Sequence, residues 1–120
     1  LDYRIAANTL EIAGDTIVEL SQSLIKSNLS KVELKKLHDF TKDMEEIQIK
    51  SIDSFISNNR TLAIDAIRLQ RNNATKISKI RSSLESKKQI SLAFFDLIYM
   101  FEKVLQSWSD IADLVKPSYK

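Results

Sequence analysis

A chain of 120 residues, 43% hydrophobic and 28% charged, has the length of one domain and the composition of a folded rather than a disordered one. Its 18 basic and 16 acidic side chains are interspersed to a net +2, too even a balance for a chain-wide pull toward nucleic acid or anionic membrane. The absence of Cys excludes disulfides, thiolate zinc sites and Cys nucleophiles and fits a reducing, cytoplasmic compartment, while one Gly and one Pro leave little from which to build hairpins, so the expected class is all-α.

The first predicted helix covers 2–26. Leu10, Ala13, Ile17, Leu20 and Leu24 recur at spacings of 3 and 4, the mark of a buried helical stripe; Tyr3 and Ala7 extend it backward, and Ile5, Ile12, Val18 and Ile25 widen it. A face that wide predicts more than one helical neighbour. Glu11, Asp15 and Glu19 recur at i, i+4 and i+8, so three carboxylates stack on successive turns. No Lys or Arg lies three or four residues from any of them, and like charges at i,i+4 cost an isolated helix about 0.2–0.5 kcal/mol per pair. Such a row is either an ordinary solvated face or a place where something positive binds. Gly14, beside Asp15, costs the helix about 1 kcal/mol relative to Ala; it either lets another helix or an ion come close or is simply tolerated in packing.

Ser30-Lys31-Val32-Glu33 is a capping-box sequence and predicts a second helix over 31–57, with Leu37, Phe40, Met44, Ile47 and Phe55 buried, and Ile52 and Ile56 beside them. His38, the one histidine, lies off that stripe with Leu34 and Lys42 at i±4, so it reads as a surface residue rather than a ligand. A third helix over 61–85, capped by Asn59 or Thr61, has a thin stripe of Ala63, Ile67, Ala74, Ile77, Ile80 and Leu84. Arg60, Arg68, Arg71 and Lys79 fall within about one-third of its circumference. That basic stripe is either solvated or a docking surface for an acidic partner or nucleic acid. The fourth helix, over 89–115, follows the connection Glu85-Ser86-Lys87-Lys88 and carries Phe94, Leu97, Phe101, Val104, Trp108, Ile111 and Val115 in an unbroken stripe, broadened by Ile98, Leu105 and Ala112, with Pro117 as its terminator. The longest apolar region, 90–101, is broken by Ser91 and Asp96 and falls short of the roughly 20 residues of a membrane span.

Set without gaps on the first helix, the fourth places Phe101, Val104, Trp108, Ile111 and Val115 on Leu10, Ala13, Ile17, Leu20 and Leu24, and places Glu102, Gln106 and Asp110 on Glu11, Asp15 and Glu19. The apolar match is common to amphipathic helices, and the polar match is the informative one. Leu10-Glu11-x-x-Gly14-Asp15 resembles the third helix of a PhoU-family repeat, whose signature reads Leu-Glu-Arg-Ile-Gly-Asp-His-Ala and contains a Glu/Asp-x-x-x-Asp metal motif. The remaining three helices resemble one complete three-helix repeat, closed by Asp110-Ile111-Ala112-Asp113. Ile12 stands for the signature Arg, Thr16 for its His and Gln106 for the second repeat's Asp, while Asn72 and Asn73 fall where the family is usually acidic.

The resemblance implies Glu11 and Asp15 as metal ligands, with Glu102 and Asp110 as their partners and Glu19 extending the row; a single divalent ion (Fe, Zn, Mn, Mg or Ca) or none suits these residues better than a multinuclear cluster, because amides hold hard cations more weakly than carboxylates. It further implies a non-enzymatic, cytoplasmic regulator of phosphate uptake or signalling that contacts a phosphate-transporter ATPase or a sensor kinase, with no membrane insertion and with nucleic acid met only through a segment ahead of Leu1. The alternative is a metal-free dimerisation or adaptor module. An enzyme is not expected: His38 lacks the Glu three residues before it that a di-metal carboxylate bundle requires, and no nucleophile or Gly-rich phosphate loop is present. The expected architecture is a single domain over 1–120, an antiparallel up-and-down four-helix bundle excised from a longer protein, with its first and last helices adjacent and their acidic residues on one shared surface.

Overall fold

The structure is a computed structural model and describes residues 1–85 and 92–115, with no account of the side chains of 83–85. It contains α1 (Asp2–Lys26), α2 (Lys31–Ser57), α3 (Arg60–Glu85) and α4 (Leu92–Asp113), and no strand among the described residues. The Leu84 side chain, the connection through 86–91 and Pro117 lie outside the described residues. Among the described residues, no helix is long and apolar enough to cross a membrane.

The helix ends form where local chemistry places them. Ser30 Oγ accepts from the Glu33 N–H at 3.2 Å while Glu33 Oε1 accepts from the Ser30 N–H at 3.0 Å, a reciprocal box that satisfies two otherwise unpaired donors at the start of α2. At its other end Asn58 takes the left-handed conformation, φ 52°, which Asn tolerates better than most side chains. The Asn59 N–H then donates to the Ser54 carbonyl at 2.8 Å, and Asn59 Oδ1 accepts from the Leu62 N–H at 3.1 Å, so two residues end one helix and start the next.

That tight reversal sends α3 back along α2. Lys50 Nζ donates to Asp65 Oδ2 at 3.0 Å and Lys76 Nζ to Asp43 Oδ2 at 3.4 Å, so later residues of α3 meet earlier residues of α2. The same order holds between α3 and α4, where Arg81 pairs with Glu102, and Arg60 Nη1 donates to the Val115 carbonyl at 2.6 Å. Small residues let these helices approach: Ser51, Ser54, Ala63, Ala66 and Ala112 are fully buried. Of these the sequence pattern missed Ser51, Ser54 and Ala66, because small and hydroxyl residues do not mark an apolar stripe. Ser54 Oγ is satisfied by the Ser51 carbonyl at 2.7 Å, and buried Asn73 donates to the Leu69 carbonyl at 3.0 Å.

α4 packs on all three other helices, and α2 and α3 also pack on each other. α4 can do this because Phe94, Leu97, Ile98, Phe101, Val104, Leu105, Trp108, Ile111 and Ala112 are buried, with Ser107 and Ser109 at the edges, an arc of roughly 200° at 3.6 residues per turn. The α1 backbone approaches that of α4 alone, staying more than 8 Å from those of α2 and α3, and α1 meets α2 by side chain, where the Tyr3 ring stands edge-on to Phe55 at 5.3 Å between centroids. The consequence corrects the expected stripe. Ala6, Ala13, Thr16 and Leu20 are buried and Ile17 and Leu24 half-buried, but Leu10 is 42% exposed, and Tyr3, Ala7, Ile5, Ile12, Val18 and Ile25 are exposed, since a single close neighbour covers one arc only. Ile56 of α2 is exposed as well. Phe101 sits at the centre of the core, 3% exposed with its ring edge-on to Phe40 at 6.1 Å between centroids. Phe101→Ala is expected to cost about 3–5 kcal/mol, read as a shift in the urea midpoint at unchanged slope.

Candidate functional site

Glu11, Asp15 and Glu19 lie on the outer surface of α1, all three exposed. At 100° per residue their line runs roughly 150° round the helix from the face buried against α4, so they stand opposite the packed stripe rather than beside it. Among the described residues none of the three makes an ion pair or hydrogen bond, and the sequence's observation that no cation lies within a turn holds in three dimensions.

The matching residues of α4 are differently placed. Glu102 is half-buried and turned toward α3, where the Arg81 guanidinium neutralises it; Arg81 is a partner that sequence spacing could not supply, because the pair is made across two helices. Asp110 is exposed and accepts from Gln106 Nε2 at 2.9 Å, one turn away. The expected shared acidic surface therefore does not form: α1 and α4 are adjacent, but Glu102 faces α3 and the α1 row faces outward. Among the described residues no three His, Asp or Glu side chains converge on a metal position. His38 is exposed, as its place off the stripe predicts.

The basic stripe of α3 gathers more closely than spacing alone shows. Arg60, Arg68 and Arg71, with Ile64 and Ile67, line an open hollow of about 470 Å³ that the sequence reading did not anticipate, and Asp113 of α4 forms part of its wall. Arg60 is tied to the α4 terminus through the Val115 carbonyl, and Arg68 pairs with Asp65 three residues before it. Arg71 is exposed in the same hollow, and Lys79 is exposed farther along the helix, outside it.

Asp65 is the electrostatic junction of α2 and α3. It accepts from Lys50 and pairs with Arg68, and Lys50 also reaches Glu46 at 3.5 Å. The hydrogen bond from Lys50 is the main reason the Asp65 carboxyl titrates below its ordinary 3.8, and the same bond raises Lys50 above its ordinary 10.5. A lowered carboxyl contributes stability above its unfolded value that is lost as pH falls through the folded one; a raised amine contributes below its unfolded value and loses it as pH rises through the folded one. Asp65→Asn is therefore expected to melt lower than wild type at neutral pH, with the gap closing as pH falls below the ordinary carboxylate value, as thermal scans from pH 7 to about 2 would record.

No protein-family model, no curated protein and no solved structure matches the chain. The site is therefore read from its own chemistry. In chelator-treated buffer Asp15→Asn removes two like-charge i,i+4 pairs and is expected to raise stability by about 0.4–1 kcal/mol, a small upward shift in melting temperature that high salt abolishes.

Proposed function

We propose that this chain is a PhoU-like regulatory domain, an up-and-down helical bundle that modulates phosphate uptake or signalling in the cytoplasm through protein contacts rather than catalysis. The observation that carries this reading is the Leu10-Glu11-x-x-Gly14-Asp15 segment, whose carboxylates stand exposed and uncompensated where a cation or a basic partner can reach them. The packing adds support. The backbones of α2, α3 and α4 all approach one another while that of α1 approaches α4 alone, in keeping with the division into one complete three-helix repeat and the last helix of another that the resemblance implies. In this reading Glu11 and Asp15, extended by Glu19, offer oxygen ligands to one divalent ion, whether Fe, Zn, Mn, Mg or Ca. Glu102 and Asp110 join them only if they leave Arg81 and Gln106. Arg60, Arg68, Arg71 and Lys79 are the surface for an acidic partner.

The adaptor reading, a metal-free helical module, draws on one specific observation, the apolar residues that α1 leaves exposed. Two measurements separate the readings. Surface-immobilised protein is expected to bind the ATPase subunit of a phosphate transporter, or the cytoplasmic part of a phosphate-sensing kinase, from the same genome. Excess Mn²⁺ is expected to raise the melting temperature, by about 2.7 kcal/mol of stability at a hundredfold excess over Kd, and Asp15→Asn to cancel the rise. Failure of both partners to bind overturns the phosphate reading. A missing metal response with partner binding intact leaves a metal-free regulator.

A further inference from the structure

α1 carries a second stripe that the described residues leave open, apart from Tyr3, whose ring meets Phe55 of α2 edge-on. Tyr3, Ala7, Leu10, Gly14, Val18, Ser21 and Ile25 follow one another at spacings of 4, 3, 4, 4, 3 and 4, and none is charged. All seven are exposed, with Tyr3 at 80%, Val18 at 56% and Ile25 at 83%. This is the spacing of a helix face that packs on another helix. At its centre Gly14 has nothing within 4 Å of where a Cβ would stand, so its bare backbone serves no close approach among the described residues. Along one edge of the stripe lies a groove of about 290 Å³ between α1 and α2, walled by Tyr3, Leu10, Ile52 and Ile56 and floored by Ile111 of α4. The exposed Ile49 continues the α2 wall.

Along the middle of this apolar track the bordering charges on α1 are acidic: Glu11, Asp15 and Glu19 run along its outer edge, with exposed Arg4 and Lys26 at the two ends of their row, and on α2 exposed Glu45, beside exposed Lys42, lies in line with Ile49, Ile52 and Ile56. An antiparallel second copy of α1 laid on the stripe would bring its own acidic row against this one. A helix with basic flanks would meet carboxylates that are otherwise uncompensated.

We infer that the face formed by α1 and the exposed edge of α2 docks an amphipathic helix of a partner protein, with an apolar ridge on the Tyr3–Ile25 stripe and Lys or Arg along its flanks. The track runs 22 residues along α1, about 33 Å, so the partner helix spans about six turns. The inference rests on the reading of the chain as an interaction domain but not on its connection to phosphate.

The test uses the whole chain and two fluorescein-labelled 22-residue helical peptides, both with leucines at i, i+3, i+4 and i+7, one with lysines and the other with glutamates along its flanks. Fluorescence anisotropy is expected to show the lysine peptide binding about tenfold or more tightly than the glutamate peptide, with the advantage lost on adding salt. The triple variant E11Q/D15N/E19Q is expected to weaken the lysine peptide by about tenfold, the sum of three exposed ion pairs, and to leave the glutamate peptide no weaker. Val18→Asp, at an exposed site that leaves the thermal melt unchanged, is expected to weaken both. Equal binding of the two peptides overturns the acidic-rim assignment while leaving an apolar docking face and the interaction reading intact. Binding of neither peptide, indifference to Val18→Asp, or a wild-type dimer that Val18→Asp splits in sedimentation overturns the proposal, while the transporter and kinase experiment stands separately.

Discussion

The burial of α4 is the constraint on which the other helices depend. A helix that is buried over more than half its circumference cannot be covered by one neighbour, and the three others take up the arc between them. Leucine, phenylalanine and tryptophan side chains dominate this helix, and each contributes on the order of 1.5–3 kcal/mol when withdrawn from water. The outer helices contribute thinner faces. α3 meets the core through Ile77 and the small Ala63 and Ala66, and its Arg81, Asp65 and Arg60 find Glu102, Lys50 and the Val115 carbonyl across short gaps.

Polar chemistry is distributed in the opposite sense to burial. Where three helices pack together, charges are matched: Arg81 with Glu102, Lys76 with Asp43, and Lys50 and Arg68 with Asp65. Where the α1 backbone stands against that of α4 alone, its carboxylates have no partner among the described residues and its isoleucines meet solvent. An unmatched charge row and an uncovered apolar stripe on the same helix are individually ordinary. Their coincidence on the one helix with a single backbone neighbour gives α1 the character of a surface prepared for something outside the chain.

Much of the fold is legible in the sequence, for reasons that can be traced residue by residue. The capping box at Ser30 and Glu33, the paired asparagines at 58 and 59, and the unbroken 3–4 repeat of α4 are local signals, and local signals survive folding. The site is less legible because it depends on which arc of α1 is covered. Leu10 and Val18 read as core from spacing, yet a stripe records only that a helix wants a neighbour, not that the chain supplies one. The resemblance implies Glu102 as a metal-ligand partner of Glu11 and Asp15; its actual partner, Arg81, lies on another helix, and such a pair leaves no spacing signature. Tyr3, Ala7 and Leu10 read as part of the first stripe and Val18 and Ile25 as its broadening, so the second stripe on α1 emerges only from their exposure.

The single backbone attachment of α1 also bears on how the molecule opens. α2 and α3 are joined by two residues and close with little loss of chain entropy, whereas contacts between α1 and α4 link segments some 90 positions apart and are supported by α2 through the side chains around Tyr3 and Phe55 rather than by close backbone packing. Undocking of α1 is thus the least costly sub-global excursion, leaving α2, α3 and α4 packed on one another. Anything that grips α1 and α2 together across their groove binds the closed form alone, and so acts as a latch: its occupancy sets the fraction of molecules in which α1 is home, and its release returns that helix to exchange with solvent.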